Sequence, residues 1–309
     1  MVQIYSIGGG KGGVGKSFIS VNLGALLAIQ GKKVVLIDLD LGSSNLHTFL
    51  GLREPKVGLS SFLNKTVNRL EDSALDTCID GLSVICSLNS SYASANLLHA
   101  QKLKIIRAIK NLPFDYVFLD LGAGTHINTI DFFLVSNEGF FVFTPEPTSI
   151  ENTLRFIKTV YYRKLKSILT QKPFNDIVKE LNQKSESGVV KLDDILYLVH
   201  SQNPDRGRLL QMELEKFKFR FVLNCLHKQV NPALGSNIEK VCNRHFYSKF
   251  QFLGNVSYDD RVYQSICSKK IFVQKYPYTP AVTDLKLIVK RLTDEDSDLP
   301  HLRGYNEKI

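Results

Sequence analysis

Residues 8–17 read Gly-Gly-Gly-Lys-Gly-Gly-Val-Gly-Lys-Ser. Gly10, Gly15, Lys16 and Ser17 stand at the spacing G-x-x-x-x-G-K-S, the pattern of a phosphate-binding loop. Glycines accept positive φ, and they let backbone N–H groups approach phosphate oxygens with no Cβ between. Gly10, Lys11, Gly12, Gly13, Val14 and Gly15 carry that backbone, and Phe18 follows Ser17 at the start of a helix-like run, 17–29. A helix beginning there aims its first N–H groups and its partial positive charge at the same spot. Lys16 would reach the β- and γ-phosphates, and the Ser17 hydroxyl would ligate Mg²⁺. Lys11 is an additional cation at the start of the loop, where most loops of this kind have none.

The other residues fit for such chemistry are carboxylates. Lys33 to Asp40 is an apolar run ending in Asp38 and Asp40. At strand periodicity these two side chains point the same way. Carboxylates hold Mg²⁺, often through water, and orient a water for in-line attack on a γ-phosphate. A second apolar run, Phe114 to Leu119, ends at Asp120 and continues into Gly122 and Gly124. Asp120 is a candidate second metal-side carboxylate, as expected beside a phosphate loop. The glycines after it let backbone N–H groups approach a γ-phosphate, so 120–124 is a candidate nucleotide-sensing switch.

These residues need a framework that gathers them. Strand-like runs cover 2–7, Lys33 to Ile37, Leu82 to Cys86, Tyr116 to Leu119, Phe140 to Thr144, Phe219 to Leu223 and Phe252 to Val256, with helical patterns between them. Continuous apolar strands alternating with helices predict a three-layer α/β architecture, a mostly parallel twisted sheet with helices on both faces. Such sheets bind ligands at the carboxyl ends of their strands. The glycine loop, Asp38, Asp40, Asp120 and Asn224 all fall at strand ends.

One domain is expected over 1–293, with a short polar tail at 294–309. Within the domain, 164–216 reads as a helical insertion with helical pieces at Leu192 to Val199 and Arg208 to Phe217.

The chain has 309 residues, 44% of them hydrophobic, enough for a substantial core. No segment has the apolar length of a membrane span. A strand-like run begins at residue 2, so no signal peptide is expected. The five cysteines have no C-x-x-C spacing and read as buried, reduced thiols. Net charge is +9, which suits an anionic partner surface such as nucleic acid or acidic lipid.

Together these stretches resemble the MinD/ParA family of deviant Walker A ATPases, within the SIMIBI class of P-loop proteins. The resemblance runs through 10–17, 38–46, 120–124, Thr144 to Ser149, Asn224 and Gly254 to Asp259. The stretch 38–46 followed by Phe49 to Leu52 is most similar to the MinD and FlhG (FleN) branch. The resemblance implies a P-loop NTPase fold, ATP and Mg²⁺ as ligands, and slow hydrolysis stimulated by a partner. It implies that Lys11 crosses a homodimer interface to the partner's nucleotide, while Lys16 and Ser17 act in their own chain. Asp38 and Asp120 would hold Mg²⁺ or its waters, and Asp40 would orient the attacking water. Asn45 would lie near the γ-phosphate, Glu146 would approach the partner's nucleotide, and Asn224 would recognise adenine.

The implied role is an ATP-gated dimeric switch in spatial regulation, of a division site, flagellum or pole, working with an unidentified activator or cargo. It would be cytoplasmic, with peripheral association at a membrane, pole or nucleoid. The alternative is a ParA-type partitioning ATPase that binds DNA non-specifically as an ATP dimer. Iron–sulfur relatives are disfavoured by the cysteine spacing. The last helical pattern, Ala281 to Leu292, has Leu285, Ile288 and Leu292 at core spacing and an acidic run after it. It does not read as a membrane-targeting helix.

Overall fold

The computed structural model describes residues 2–42, 44–87, 97–136, 138–170, 192–246 and 248–294. The central part of the expected insertion, 171–191, and the tail from residue 295 lie outside the described residues. Eight strands form one sheet: β1 (Gln3–Gly8), β2 (Val34–Leu39), β3 (Leu75–Asp76), β4 (Leu82–Ile85), β5 (Tyr116–Leu121), β6 (Glu138–Phe143), β7 (Lys218–Leu226) and β8 (Lys249–Ser257). Their spatial order is β3-β4-β2-β5-β1-β6-β7-β8. Every pairing is parallel except β3 with β4. Each strand-like run is a strand, and β3 is one the pattern did not single out. Two residues are too few for alternation to register.

Helices cover both faces, which is why the central strands are apolar without alternation. One face is covered by α1 (Lys16–Ile29), with α2 (Leu46–Phe49) beside it. On the other lie α3 (Leu59–Leu63), α4 (His99–Ile109), α5 (Ile127–Phe133) and α6 (Pro147–Leu169). That second face holds a run of aromatic contacts: Phe141 packs on Phe133, Phe156, Phe219 and Phe221. Pro147 stands in the first turn of α6, where its missing N–H is no loss.

The helix α6 runs unbroken through 164–169. The pair α7 (Leu192–Gln202) and α8 (Pro204–Glu215) packs on itself and against α6. Later in the chain come α9 (Leu234–His245), α10 (Arg261–Cys267), α11 (Phe272–Lys275) and α12 (Pro280–Thr293). In α12, Leu285, Ile288 and Leu292 are buried against α1 and β8. No helix among the described residues is long and apolar enough to cross a membrane. All five cysteines are free; Cys86 and Cys242 are buried, but Cys78 and Cys267 are exposed. Those two correct the expectation of buried thiols, because each sits beside a turn at the surface.

The long edge strand β8 is capped by side chains from the helices flanking it. Phe250 N–H donates to Asn243 Oδ1 at 3.0 Å, and Asn243 Nδ2 donates back to Phe250 O at 2.9 Å. Phe252 N–H donates to Glu239 Oε1 at 3.0 Å, and Arg291 Nη1 donates to Leu253 O at 2.6 Å. Main-chain groups that would otherwise template another strand are thereby occupied.

Candidate functional site

The loop between β1 and α1 is shaped by close approach. A Cβ on Gly10 would lie 2.1 Å from Asn152 O. Gly13 and Gly15 hold φ of +77° and +92°, a region that side chains other than glycine's rarely adopt. Gly15 is the N-cap of α1, so the helix opens directly out of the loop. Asn224, buried at the end of β7, donates its Nδ2 to Val14 O at 3.0 Å and ties the loop from behind. The Phe18 ring is buried against Phe272, so this residue faces the loop through its backbone.

Lys16 is buried, with Nζ 3.5 Å from Lys11 O. Burial pushes its pKa down, and the charges of Asp120 and Asp40 oppose that shift. Lys11 is at the rim. Its Nζ donates to Glu146 Oε2 at 2.8 Å and to Thr148 Oγ1 at 3.3 Å. Glu146 is the N-cap of α6. The two residues that the resemblance sends toward a partner's nucleotide are therefore paired with each other within one chain.

Asp38 and Asp120 are register partners on β2 and β5. Both are buried. Burial raises the Asp38 carboxyl to about 6 against the hydrogen bonds it accepts. Burial and the neighbouring Asp38 raise Asp120 to about 7, opposed by the Ser17 and Ser20 hydroxyls and by Lys16. Ser20 Oγ donates to Asp120 Oδ1 at 3.0 Å. Asp38 also organises the chain after it. Its Oδ1 accepts from Asp40 N at 3.1 Å, and its Oδ2 accepts from Ser44 Oγ at 2.7 Å, Asn45 N at 3.0 Å and Leu46 N at 3.2 Å. Asp40 lies against the loop after β5: a Cβ on Gly122 would sit 3.2 Å from its Oδ1.

Ser17, Asp38 and Asp120 offer only hard oxygen donors, which suits Mg²⁺. Two adjacent buried carboxylates with raised pKa values are a setting that a divalent cation relieves. Among the described residues no group of three or more His, Cys, Asp or Glu could hold a metal ion. The remaining ligands of a Mg²⁺ there would be waters and phosphate oxygens.

Part of this set lines one cleft of about 900 Å³ at the carboxyl ends of the strands; Gly10, Lys11, Val14, Asp38, Asp120 and Glu146 are not in its lining. Gly12, Gly13, Gly15, Lys16, Ser17, Asp40, Asn45 and Asn224 all line it. Its far wall contains residues that sequence reasoning did not single out, among them Val262, Tyr263 and Ile266. Cys225, next to Asn224, holds φ of +56°. Tyr258 is stacked on His227 with ring centroids 4.2 Å apart, and its hydroxyl donates to Asp260 at 2.8 Å. The signal for Val262, Tyr263 and Ile266 was positional: they lie on α10, just after the last strand, at the ligand-binding end of the sheet.

A phosphate loop ahead of a buried helix, flanked by in-register carboxylates on a parallel sheet, defines a P-loop nucleotide-binding protein of the ATPase class. The chain belongs to the CobQ/CobB/MinD/ParA nucleotide binding domain family, whose model matches residues 5–272. It is 25% identical over 316 residues to the antiactivator FleN of Pseudomonas aeruginosa, covering 100% of this chain and 93% of that protein. In fold it is similar to the cell division ATPase MinD of Pyrococcus furiosus, with a TM-score of 0.64 at 20% identity over 94% of this chain and 98% of that one. The septum site-determining protein MinD of Pyrococcus horikoshii, solved with Mg-ADP, gives a TM-score of 0.63 at 18% identity over 95% of this chain and 97% of that one.

Proposed function

We propose that this protein is a Mg²⁺-dependent ATPase acting as an ATP-gated dimeric switch in spatial regulation, of the MinD/FlhG type. The observation that carries the reading is the convergence of Lys16, Ser17 and Asp40 on one cleft, with Asp120 hydrogen-bonded to Ser17 and in register with Asp38. Likeness to FleN over the whole chain supports the branch. The Mg-ADP in the Pyrococcus horikoshii relative supports the ligand.

In this reading the N–H groups of 12–17 hold the phosphates. Lys16 places positive charge on the β- and γ-phosphates, and its lowered pKa reflects a dry site where that charge acts strongly. Ser17, Asp38 and Asp120 would hold Mg²⁺, which would neutralise phosphate charge. Asp40 orients the attacking water. Lys11 leaves Glu146 and crosses to a partner chain when two ATP-bound copies close. Asn224, already bonded to the loop, flanks the adenine.

Asp40→Ala tests the chemistry. The variant is expected to bind ATP as the parent does and to lose hydrolysis by roughly a hundredfold or more, the scale of a missing acid–base or orienting group. Hydrolysis at the parental rate would refute the assignment.

The net charge of +9 favours one second reading, a ParA-type ATPase whose ATP dimer binds DNA. Its contacts would be to phosphates and would weaken steeply with salt. Filter retention of DNA with ATP at low and high salt separates the two.

A further inference from the structure

Asp131 lies on α5, the helix that follows the 122–126 loop. The core side of α5 is fixed by Ile130, Phe132 and Phe133, all buried, and by Ser6 Oγ donating to Phe132 O at 3.1 Å. Asp131 sits on the other side of α5, and its side chain is still only 13% exposed. It receives Lys102 Nζ from α4, and from α6 it receives Arg163 Nε at 2.8 Å and Nη2 at 3.2 Å. Lys102, itself buried, also donates to Asn128 Oδ1 at 3.4 Å, one turn earlier on α5. One carboxylate thus ties three helices together, and the arginine fork fixes direction as well as distance.

Stability alone is a weak account of such a cluster. Removing charges from water offsets much of their mutual attraction, and apolar residues of similar size often serve as well. What the cluster supplies is position. The loop ahead of α5 is held at its other end by the site: Gly124 N–H donates to Gly9 O at 3.3 Å, and Gly122 packs on Asp40. The helix α6 also starts at the site, where Glu146 and Thr148 hold Lys11 and Asn152 abuts Gly10. Two elements that begin at the cleft are therefore locked to each other, and to α4, through Asp131.

We infer that Asp131 is a positioning residue for the γ-phosphate: by fixing α5 against α4 and α6, it sets the spacing between the 122–124 backbone and the phosphate loop. This rests on the ATPase reading. The ligand difference it governs is nucleoside triphosphate against diphosphate, because the α- and β-phosphates are held by the loop and α1, which Asp131 does not touch.

The test is the dissociation constants of Mg-ADP and of a non-hydrolysable Mg-ATP analogue for the full chain and for Asp131→Asn. Steady-state kcat and KM are measured on the same proteins. ADP affinity is expected to stay within about twofold, while analogue affinity falls by about fivefold or more, the scale of a coupling between sites, and kcat falls with it. Arg163→Met, at a side chain 39% exposed, serves if Asp131→Asn does not fold, and the same change in ratio is expected. An unchanged ratio of the two affinities in the folded variant, whatever its melting temperature, overturns the inference and leaves the ATPase reading intact. A parent chain that binds neither nucleotide overturns that reading instead.

Discussion

At Gly15 two constraints act on the same atom. Its φ of +92° disfavours any side chain, and a Cβ there would lie 2.2 Å from Asn224 Nδ2. Gly15→Ala therefore has to break the Asn224–Val14 hydrogen bond as well as strain the backbone. It is expected to destabilise by about 1–3 kcal/mol and to abolish binding of a fluorescent ATP analogue. Gly31 separates the two effects, since it holds φ of +83° with nothing within 4 Å of a Cβ. Gly31→Ala should show the strain alone, about 1 kcal/mol, with nucleotide binding unchanged. Equal binding by both variants would contradict the role given to the close approach. Around Gly15 the sequence was most informative, because the loop's chemistry lies in ten consecutive residues. The pairing of Lys11 with Glu146 was not legible, since those residues come together only when β1 and β6 lie side by side.

Among the elements, the strands were legible because a parallel sheet buried on both faces demands unbroken apolar runs. Their ends were less so: β7 and β8 each extend beyond the apolar run that signals them, since Lys218 and Gln251 interrupt the pattern while remaining in the ladder. The cluster of Lys102, Asp131 and Arg163 had no sequence signal at all. Each is an ordinary charged position on an amphipathic helix, and only the packing of α4, α5 and α6 brings them together.

The capped edge of β8 was equally silent, because its caps come from the helices on either side. Replacing Glu239 and Asn243 together by alanine removes the hydrogen bonds at Phe250 and Phe252. The loss should be roughly 1 kcal/mol per bond. The opened edge should also give oligomers that grow with concentration in light scattering. A double variant that remains as monodisperse and as stable as its parent would show that the caps do not guard the edge.

The whole molecule carries ionisable groups of opposite sign in their effect on folding. Burial raises the Asp131 carboxyl, but the hydrogen bonds and charges of Arg163 and Lys102 outweigh it and hold the pKa below the ordinary 3.8. A depressed folded-state pKa contributes stability above the unfolded value, and this is lost as pH falls through the folded one. Asp131→Asn should therefore be less stable than the parent at pH 7, with the gap closing below about pH 4. Asp38 and Asp120 act the other way: raised to about 6 and about 7, they reduce the stability of the nucleotide-free protein as pH rises from 3.8 through those values. Comparing Asp131→Asn with its parent cancels that contribution, and urea melts across the pH range read the difference. A gap that stays constant down to pH 2.5 would contradict the ion cluster.

The proposed dimer closure on ATP belongs to this scale too, because it would turn a loop of ten residues into a regulator. Sedimentation velocity of Asp40→Ala measures it directly, in Mg-ATP and in Mg-ADP, with the Lys11→Ala, Asp40→Ala double variant alongside. Asp40→Ala is expected at twice the single-chain mass in ATP and as one chain in ADP, and the double variant as one chain in either. A single-chain mass for Asp40→Ala in saturating ATP, or a dimer that forms without regard to nucleotide or Lys11, would contradict the proposed closure.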